Sequence, residues 1–100
     1  MENISVQEVS TRLKAGEKLN LIDVREPDEY AEFNIGGILL PLGKIYSMQL
    51  EDIEDLKGDE LILYCRSGNR SLHACLFLES AGFTNVKNLA GGMVEWKSLN

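Results

Sequence analysis

Apolar residues recur along this 100-residue chain in two rhythms, helical spacing and short continuous runs. Val6, Val9 and Leu13 share one face of a helix, with Ser5-Val6-Gln7-Glu8 before them as a capping box and Gly16 as the stop. Leu19 to Val24 is mostly apolar and short, which predicts a strand ending in Asp23-Val24-Arg25. Pro27 suits the first turn of a helix running to about Phe33. Gly36-Gly37 breaks the chain before the apolar run Ile38-Leu39-Leu40, which Pro41 closes. Leu42 to about Leu56 is expected to be helical in part, with Lys57-Gly58-Asp59 as the turn out.

Leu61 to Tyr64 is apolar throughout, the pattern of a strand covered on both faces. Ser71 to Ala81 has few polar positions and reads as a helix closed by Gly82. Phe83 to Asn88 predicts a last short strand, and Gly91-Gly92 leads into a terminal helix carrying Trp96. Strands alternating with helices imply a parallel sheet covered on both faces. Sites in such sheets lie beyond the carboxyl ends of the strands. Asp23, Cys65 and Gly91-Gly92 all fall at such ends and are expected to cluster.

The abrupt change from Leu-Ile-Leu-Tyr to Cys65 carries the chemistry. A strand ending on a cysteine and turning at once into a helix holds the sulfur over backbone N–H groups. Those groups, the helix dipole and Arg66 and Arg70 all favour thiolate over thiol. The pattern is that of a nucleophile site.

Composition narrows the partners. Sixteen acidic against ten basic residues give a net charge of −6, which argues against nucleic acid or an anionic membrane as a general partner. No apolar run approaches the roughly 18 residues needed to span a bilayer. Two cysteines are too few for a disulfide framework, and Met-Glu-Asn-Ile-Ser lacks the regions of a signal peptide. The expectation is a cytoplasmic monomer forming a single domain over residues 1–100, where an exposed cysteine stays free to react.

Three segments together resemble the rhodanese family of single-domain sulfurtransferases. They are Leu-Ile-Asp-Val-Arg-Glu-Pro-Asp-Glu-Tyr (21–30), Cys-Arg-Ser-Gly-Asn-Arg-Ser (65–71) and Leu-Ala-Gly-Gly-Met-Val-Glu-Trp (89–96). The likeness covers nearly the whole chain, and the order and spacing of the segments make it specific. One stretch departs from it. Family members usually carry Gly-His-Ile-Pro-Gly-Ala where this chain has Phe33-Asn34-Ile35-Gly36-Gly37-Ile38, away from the nucleophile.

The resemblance implies a three-layer α/β/α fold around a five-stranded parallel sheet of order 3-2-4-5-1. It also implies that Cys65 takes sulfane sulfur from a donor such as thiosulfate or a polysulfide, becomes a persulfide, and passes the outer sulfur to cyanide, a small thiol or a protein thiol. Neither a metal nor an organic cofactor is expected. In the loop itself, the backbone N–H groups of Arg66, Ser67, Gly68, Asn69, Arg70 and Ser71 are expected to form the cradle, with Arg66 and Arg70 on the anionic donor unless either points into solvent or pairs with a carboxylate.

Arg70 is the fifth residue after Cys65, giving Cys-x4-Arg. Protein tyrosine phosphatases, and the cell-cycle phosphatases that share the rhodanese fold, have one residue more. A loop around a phosphoryl group must encircle a tetrahedral anion; the shorter ring suits the single terminal sulfur of a persulfide. A non-catalytic binding module and a cysteine-dependent phosphatase or arsenate reductase stay as alternatives. Cys75, Trp96 and the pair Asp23 and Arg25 read as structural, His73 as a helix-side residue, and Glu51, Asp52, Glu54 and Asp55 as a solvated face.

Overall fold

The run Leu61–Tyr64 becomes β4, the central strand of a five-stranded sheet in the computed structural model of residues 1–99. Residue 100, the last of the expected domain span, lies outside the described residues. The elements follow as β1 (Glu2–Ile4), α1 (Val6–Lys14), β2 (Asn20–Asp23), α2 (Pro27–Glu32) and β3 (Ile38–Leu39). Then come α3 (Leu42–Tyr46), a single 3-10 turn (Glu54–Leu56), β4, α4 (Asn69–Ser80), β5 (Val86–Leu89) and α5 (Gly92–Lys97). Every pairing is parallel and the strand order is β1-β5-β4-β2-β3, the expected 3-2-4-5-1 read from the other edge.

Strand periodicity divides the core into two layers. Leu61, Leu63 and Cys65 point to one face, where they meet Ile22, Ile45, Ile53, Ala74, Cys75 and Leu78. Ile62 and Tyr64 point to the other, among Val6, Val9, Leu21, Leu89 and Met93. Accordingly α3 packs with α4 on the first face and α1 with α5 on the second. All four residues of β4 are buried, the environment that an uninterrupted apolar run requires.

Four local differences from the pattern reading have physical reasons. Ser5 Oγ accepts the Glu8 N–H at 3.0 Å, but among the described residues no Glu8 carboxylate bond returns to Ser5, so half of the capping box forms. β1 carries only one buried residue, Ile4, and such a short edge strand has no periodicity to read. The stretch 42–56 yields five helical residues and one 3-10 turn, because Met48 at φ +60 breaks the helix. α4 starts two residues before the expected Ser71, since Gly68 at φ +103 turns the chain and Leu72 N–H already closes on Gly68 C=O at 3.1 Å. The loop between β4 and α4 is therefore tight.

The departure at residues 33–38 supplies its own turn. Asn34 Oδ1 accepts the Gly36 N–H at 2.9 Å, and Asn34 Nδ2 donates to Tyr30 C=O at 2.9 Å. Gly37 lies so close to β2 that a Cβ there would sit 2.8 Å from Leu21 C=O. No helix among the described residues is long and apolar enough to cross a membrane.

Candidate active site

Cys65 directly follows β4 and is only 1% exposed. Burial in apolar surroundings raises a thiol pKa, because it penalises the charged form. Here donors act against it. Gly68 N–H lies 3.1 Å from Sγ, Ser71 N–H 3.4 Å and the Ser71 hydroxyl 3.4 Å. Burial pushes the Cys65 thiol up, the hydroxyl of Ser71 and the N–H groups of Ser71, Gly68 and Ser67 pull it down, and the donors prevail. The amino end of α4, a twelve-residue helix whose first N–H groups have no helical partners, thus faces the sulfur.

The amino end of α5 orients the loop from the other side. Met93 N–H donates to Cys65 C=O at 2.9 Å and Val94 N–H to Arg66 C=O at 2.9 Å. Because a peptide is planar and trans, a carbonyl held toward α5 turns the following N–H the opposite way. The Ser67 N–H, one of the groups favouring thiolate, is set by this. Contact this close needs Gly92: a Cβ there would lie 2.5 Å from Cys65 O and 2.6 Å from Arg66 O, and its φ is +55. Gly91 and Gly92 therefore bring the last loop against the cysteine loop, as their position at a strand end suggests.

The charged residues divide sharply. Arg25 is almost fully buried and clasps the Asp23 carboxylate through Nε at 3.0 Å and Nη2 at 2.8 Å, a structural pair. Arg70 donates Nη1 and Nη2 to Glu29 at 2.8 and 2.9 Å, tying α4 to α2 in a bidentate pair. That guanidinium holds the Glu29 carboxyl well down, at about 2, so the pair is charged at any ordinary pH. Arg70 is thus committed to Glu29. Arg66 is exposed, and among the described residues no carboxylate lies within ion-pairing distance of it.

Arg66 opens onto a cleft of about 520 Å³ beside the cysteine loop, lined also with Arg25, Lys97, the carboxylates Glu29 and Glu32, and the apolar Phe33, Met93 and Val94. Lys97 Nζ stands 4.6 Å above the Phe33 ring, so the cleft combines an apolar wall with cations. Of the remaining loop residues, Ser67 and Asn69 are exposed, while Gly68 and Ser71 are buried. His73 is exposed on α4, and Cys75 lies within the core. No group of three or more metal-ligating side chains occurs among the described residues.

Two participants escape the pattern reading. Glu29, three residues into the short α2, looks like any helix-surface carboxylate until the fold brings it to Arg70. Asn88 on β5 is 5% exposed and accepts from Ser71 Oγ at 2.5 Å. Its one sequence signal is a polar residue in a short strand, three residues before the glycine pair.

A strand-end cysteine inside a ring of N–H donors, on a 1-5-4-2-3 parallel sheet, defines a class that comparison with known proteins identifies. The chain belongs to the rhodanese-like domain family, whose model matches residues 5–99. A sulfurtransferase of Allochromatium vinosum is 36% identical over 97 residues, spanning 96% of this chain and 88% of that protein. Among solved structures, the human single-domain sulfurtransferase superposes with a TM-score of 0.82 at 28% identity, covering 100% of this chain and 98% of that one. A rhodanese-like domain protein from Staphylococcus aureus superposes with a TM-score of 0.85 at 28% identity, over 96% of this chain and 91% of that one.

Proposed function

We propose that this chain is a sulfurtransferase in which Cys65 carries sulfane sulfur between an anionic donor and a thiol acceptor. The observation that carries the reading is the ring of N–H groups around Cys65 Sγ, with Gly68 N–H at 3.1 Å. In the first half-reaction the Cys65 thiolate attacks the outer sulfur of thiosulfate. The Sγ–S bond forms, the S–S bond of thiosulfate breaks, and sulfite leaves with the electron pair. The resulting persulfide anion is stabilised by the same donors that favour the thiolate. In the second half-reaction an acceptor thiolate attacks the outer sulfur, and the Cys65 thiolate departs unchanged. Neither half-reaction needs a general base once the thiolate is formed.

Charge supports the same assignment. The protein carries a net −6, yet Arg66 and Lys97 stand at the cleft beside the nucleophile, where they would draw an anionic donor. Arg70 favours sulfur over phosphorus: its guanidinium is held by Glu29 rather than left to clamp phosphoryl oxygens. The near-complete enclosure of Cys65 suits a terminal sulfur atom better than a tetrahedral group.

Intact mass after incubation with thiosulfate or polysulfide tests the proposal. A gain of about 32 Da, one sulfur atom, is expected in the native protein, discharged by a small thiol and absent from Cys65→Ser. Thiosulfate:cyanide turnover should vanish in that variant too. Aryl phosphate hydrolysis exceeding sulfur transfer, or turnover surviving in Cys65→Ser, overturns the assignment.

A further inference from the structure

The Ser71 hydroxyl has one proton and two acceptors within reach. Cys65 Sγ lies 3.4 Å away and Asn88 Oδ1 2.5 Å away, and all three residues are buried. The orientation of the Asn88 amide follows from its other contacts. Nδ2 donates to Gly68 C=O at 3.3 Å and to Asn3 Oδ1 at 3.2 Å. A flipped amide would set its oxygen against the fixed Gly68 carbonyl, so the oxygen faces Ser71. Asn88 Oδ1 only accepts, and Ser71 must be the donor in that contact.

Two states of the sulfur follow. With Cys65 a thiol, S–H can donate to Ser71 Oγ while Ser71 donates to Asn88, and every group is satisfied. With Cys65 a thiolate, the hydroxyl can turn its proton to Sγ only by leaving the buried Asn88 oxygen unpaired, which is costly. The amide therefore competes with the thiolate for one proton.

We propose that Asn88 is a positioning residue that holds the Ser71 hydroxyl proton away from Cys65, keeping the thiolate more basic and more reactive than its cradle alone would make it. This rests on Cys65 being the sulfur-carrying nucleophile. The chemical logic is that a thiolate loses intrinsic nucleophilicity as its pKa falls, so maximal stabilisation is not the best tuning. The N–H groups of Gly68, Ser71 and Ser67 favour the thiolate in either case; the Ser71 hydroxyl adds to them only to the extent that its proton leaves Asn88, and limiting that share preserves reactivity.

The charged and titratable groups facing Cys65 bear on the same equilibrium. They are Arg66 and Arg70 on the loop and start of α4, Cys75 further along α4, and Glu29 behind Arg70 on α2. Asp23 and Arg25 close the neighbouring strand end as a mutual pair. Among the described residues none of these hydrogen-bonds to the Asn88 side chain, whose partners are Ser71, Gly68 and Asn3, so they act as a constant background in the cycle.

The test is a double-mutant cycle on the pH profile of Cys65 alkylation by iodoacetamide, with modification assigned by peptide mass. The four proteins are native, Asn88→Ala, Ser71→Ala and the double variant; Asn88→Leu replaces the alanine if packing suffers. With the hydroxyl present, removing Asn88 should shift the alkylation midpoint lower, by about half to one pH unit, relative to its effect in the Ser71→Ala background. The alkaline plateau rate should drop by up to about threefold, again only with the hydroxyl present. Equal shifts in both backgrounds would mean that Asn88 merely fastens Gly68, and a more upward shift with the hydroxyl present would mean that Asn88 aims Ser71 at the sulfur. Either result overturns the proposal. Alkylation uses no sulfur donor, so the expected coupling without a persulfide mass gain removes the sulfur reading alone, and a mass gain without coupling removes the role of Asn88 alone.

Discussion

Cys65 and Cys75 lie on the same chain, ten residues apart, and both are buried in one apolar cluster. Their acidities move in opposite directions. Burial pushes the Cys75 thiol up to about 12, with the Glu79 carboxylate adding to it. Burial acts on Cys65 too, yet donors bring it below the ordinary thiol value. The difference lies in where each sulfur meets α4. Mid-helix, every backbone N–H is spent on a carbonyl one turn back, and a buried thiol finds no donor. At the amino end the first N–H groups lack helical partners, and a preceding left-handed glycine turns them onto the sulfur. Burial alone raises a thiol's pKa; burial at a helix start, with N–H donors on the sulfur, lets it fall.

The comparison breaks most readily at Gly92. A methyl group there would collide with the carbonyl oxygens of Cys65 and Arg66, which α5 must approach to orient the loop. Gly92→Ala is expected to lower sulfur transfer by about 100-fold, the scale of a roughly 1 Å misplacement at a reacting centre. It should also cost about 1–3 kcal/mol of stability through overpacking. The Cys65 alkylation midpoint should rise toward the unperturbed value of about 8.5, and Cys75 should stay unreactive. A Gly92→Ala protein with a native alkylation profile would show that α5 does not shape the cradle.

A smaller effect separates the two arginines. Arg66 stands at the cleft with no carboxylate partner among the described residues, whereas Arg70 is neutralised by Glu29. Arg66→Gln should raise KM for thiosulfate by about 3- to 10-fold with kcat little changed, the worth of one partly screened charge. High salt should shrink the difference. Arg70→Gln should act chiefly on stability, by up to about 1 kcal/mol for a pair this exposed. A larger KM effect at Arg70 than at Arg66 would show that Arg70 leaves Glu29 to bind donor.

The contrast between the cysteines was legible in the sequence, and its instruments were not. An apolar run stopping at Cys65 before Arg-Ser-Gly, against Cys75 among Ala74, Leu76, Phe77 and Leu78, already separates a strand-end thiol from core filler. Strand and helix periods placed β2, β4 and α4, and the glycine pair before α5 marked a close approach. Local pattern carries no information about partners far along the chain. Glu29 reaches Arg70 across 41 residues and Asn88 reaches Ser71 across 17, and only the parallel crossovers create those contacts. The arginines show the cost: the loop leaves each of them free to meet substrate, solvent or a carboxylate, and only tertiary structure pairs Arg70 with Glu29. β1 escaped for a related reason, because three edge residues acquire strand geometry only by pairing with β5.

The smallest effect on activity sharpens the comparison from the Cys75 side. Sulfur transfer by Cys75→Ala should stay within about twofold of native, because Cys75 supplies none of the donors that reach Cys65 Sγ. Its signature lies in the pH dependence of stability. Between the unfolded value of about 8.5 and the folded value of about 12, folded Cys75 keeps its proton and unfolded Cys75 loses it. The unfolded state binds fewer protons there, so the stability due to the neutral thiol is complete below about 8.5 and is lost as pH rises toward 12. Cys65 has the opposite sign: its lowered pKa adds stability as pH rises through the folded value toward 8.5, and it does so equally in native and variant proteins. In the difference between native and Cys75→Ala the Cys65 contribution cancels. Urea unfolding at pH 8 and pH 11 should therefore show the native protein losing about 3 kcal/mol more than the variant over that interval. Equal losses would place the Cys75 pKa near that of an exposed thiol, and the contrast between the two cysteines would then rest on Cys65 alone.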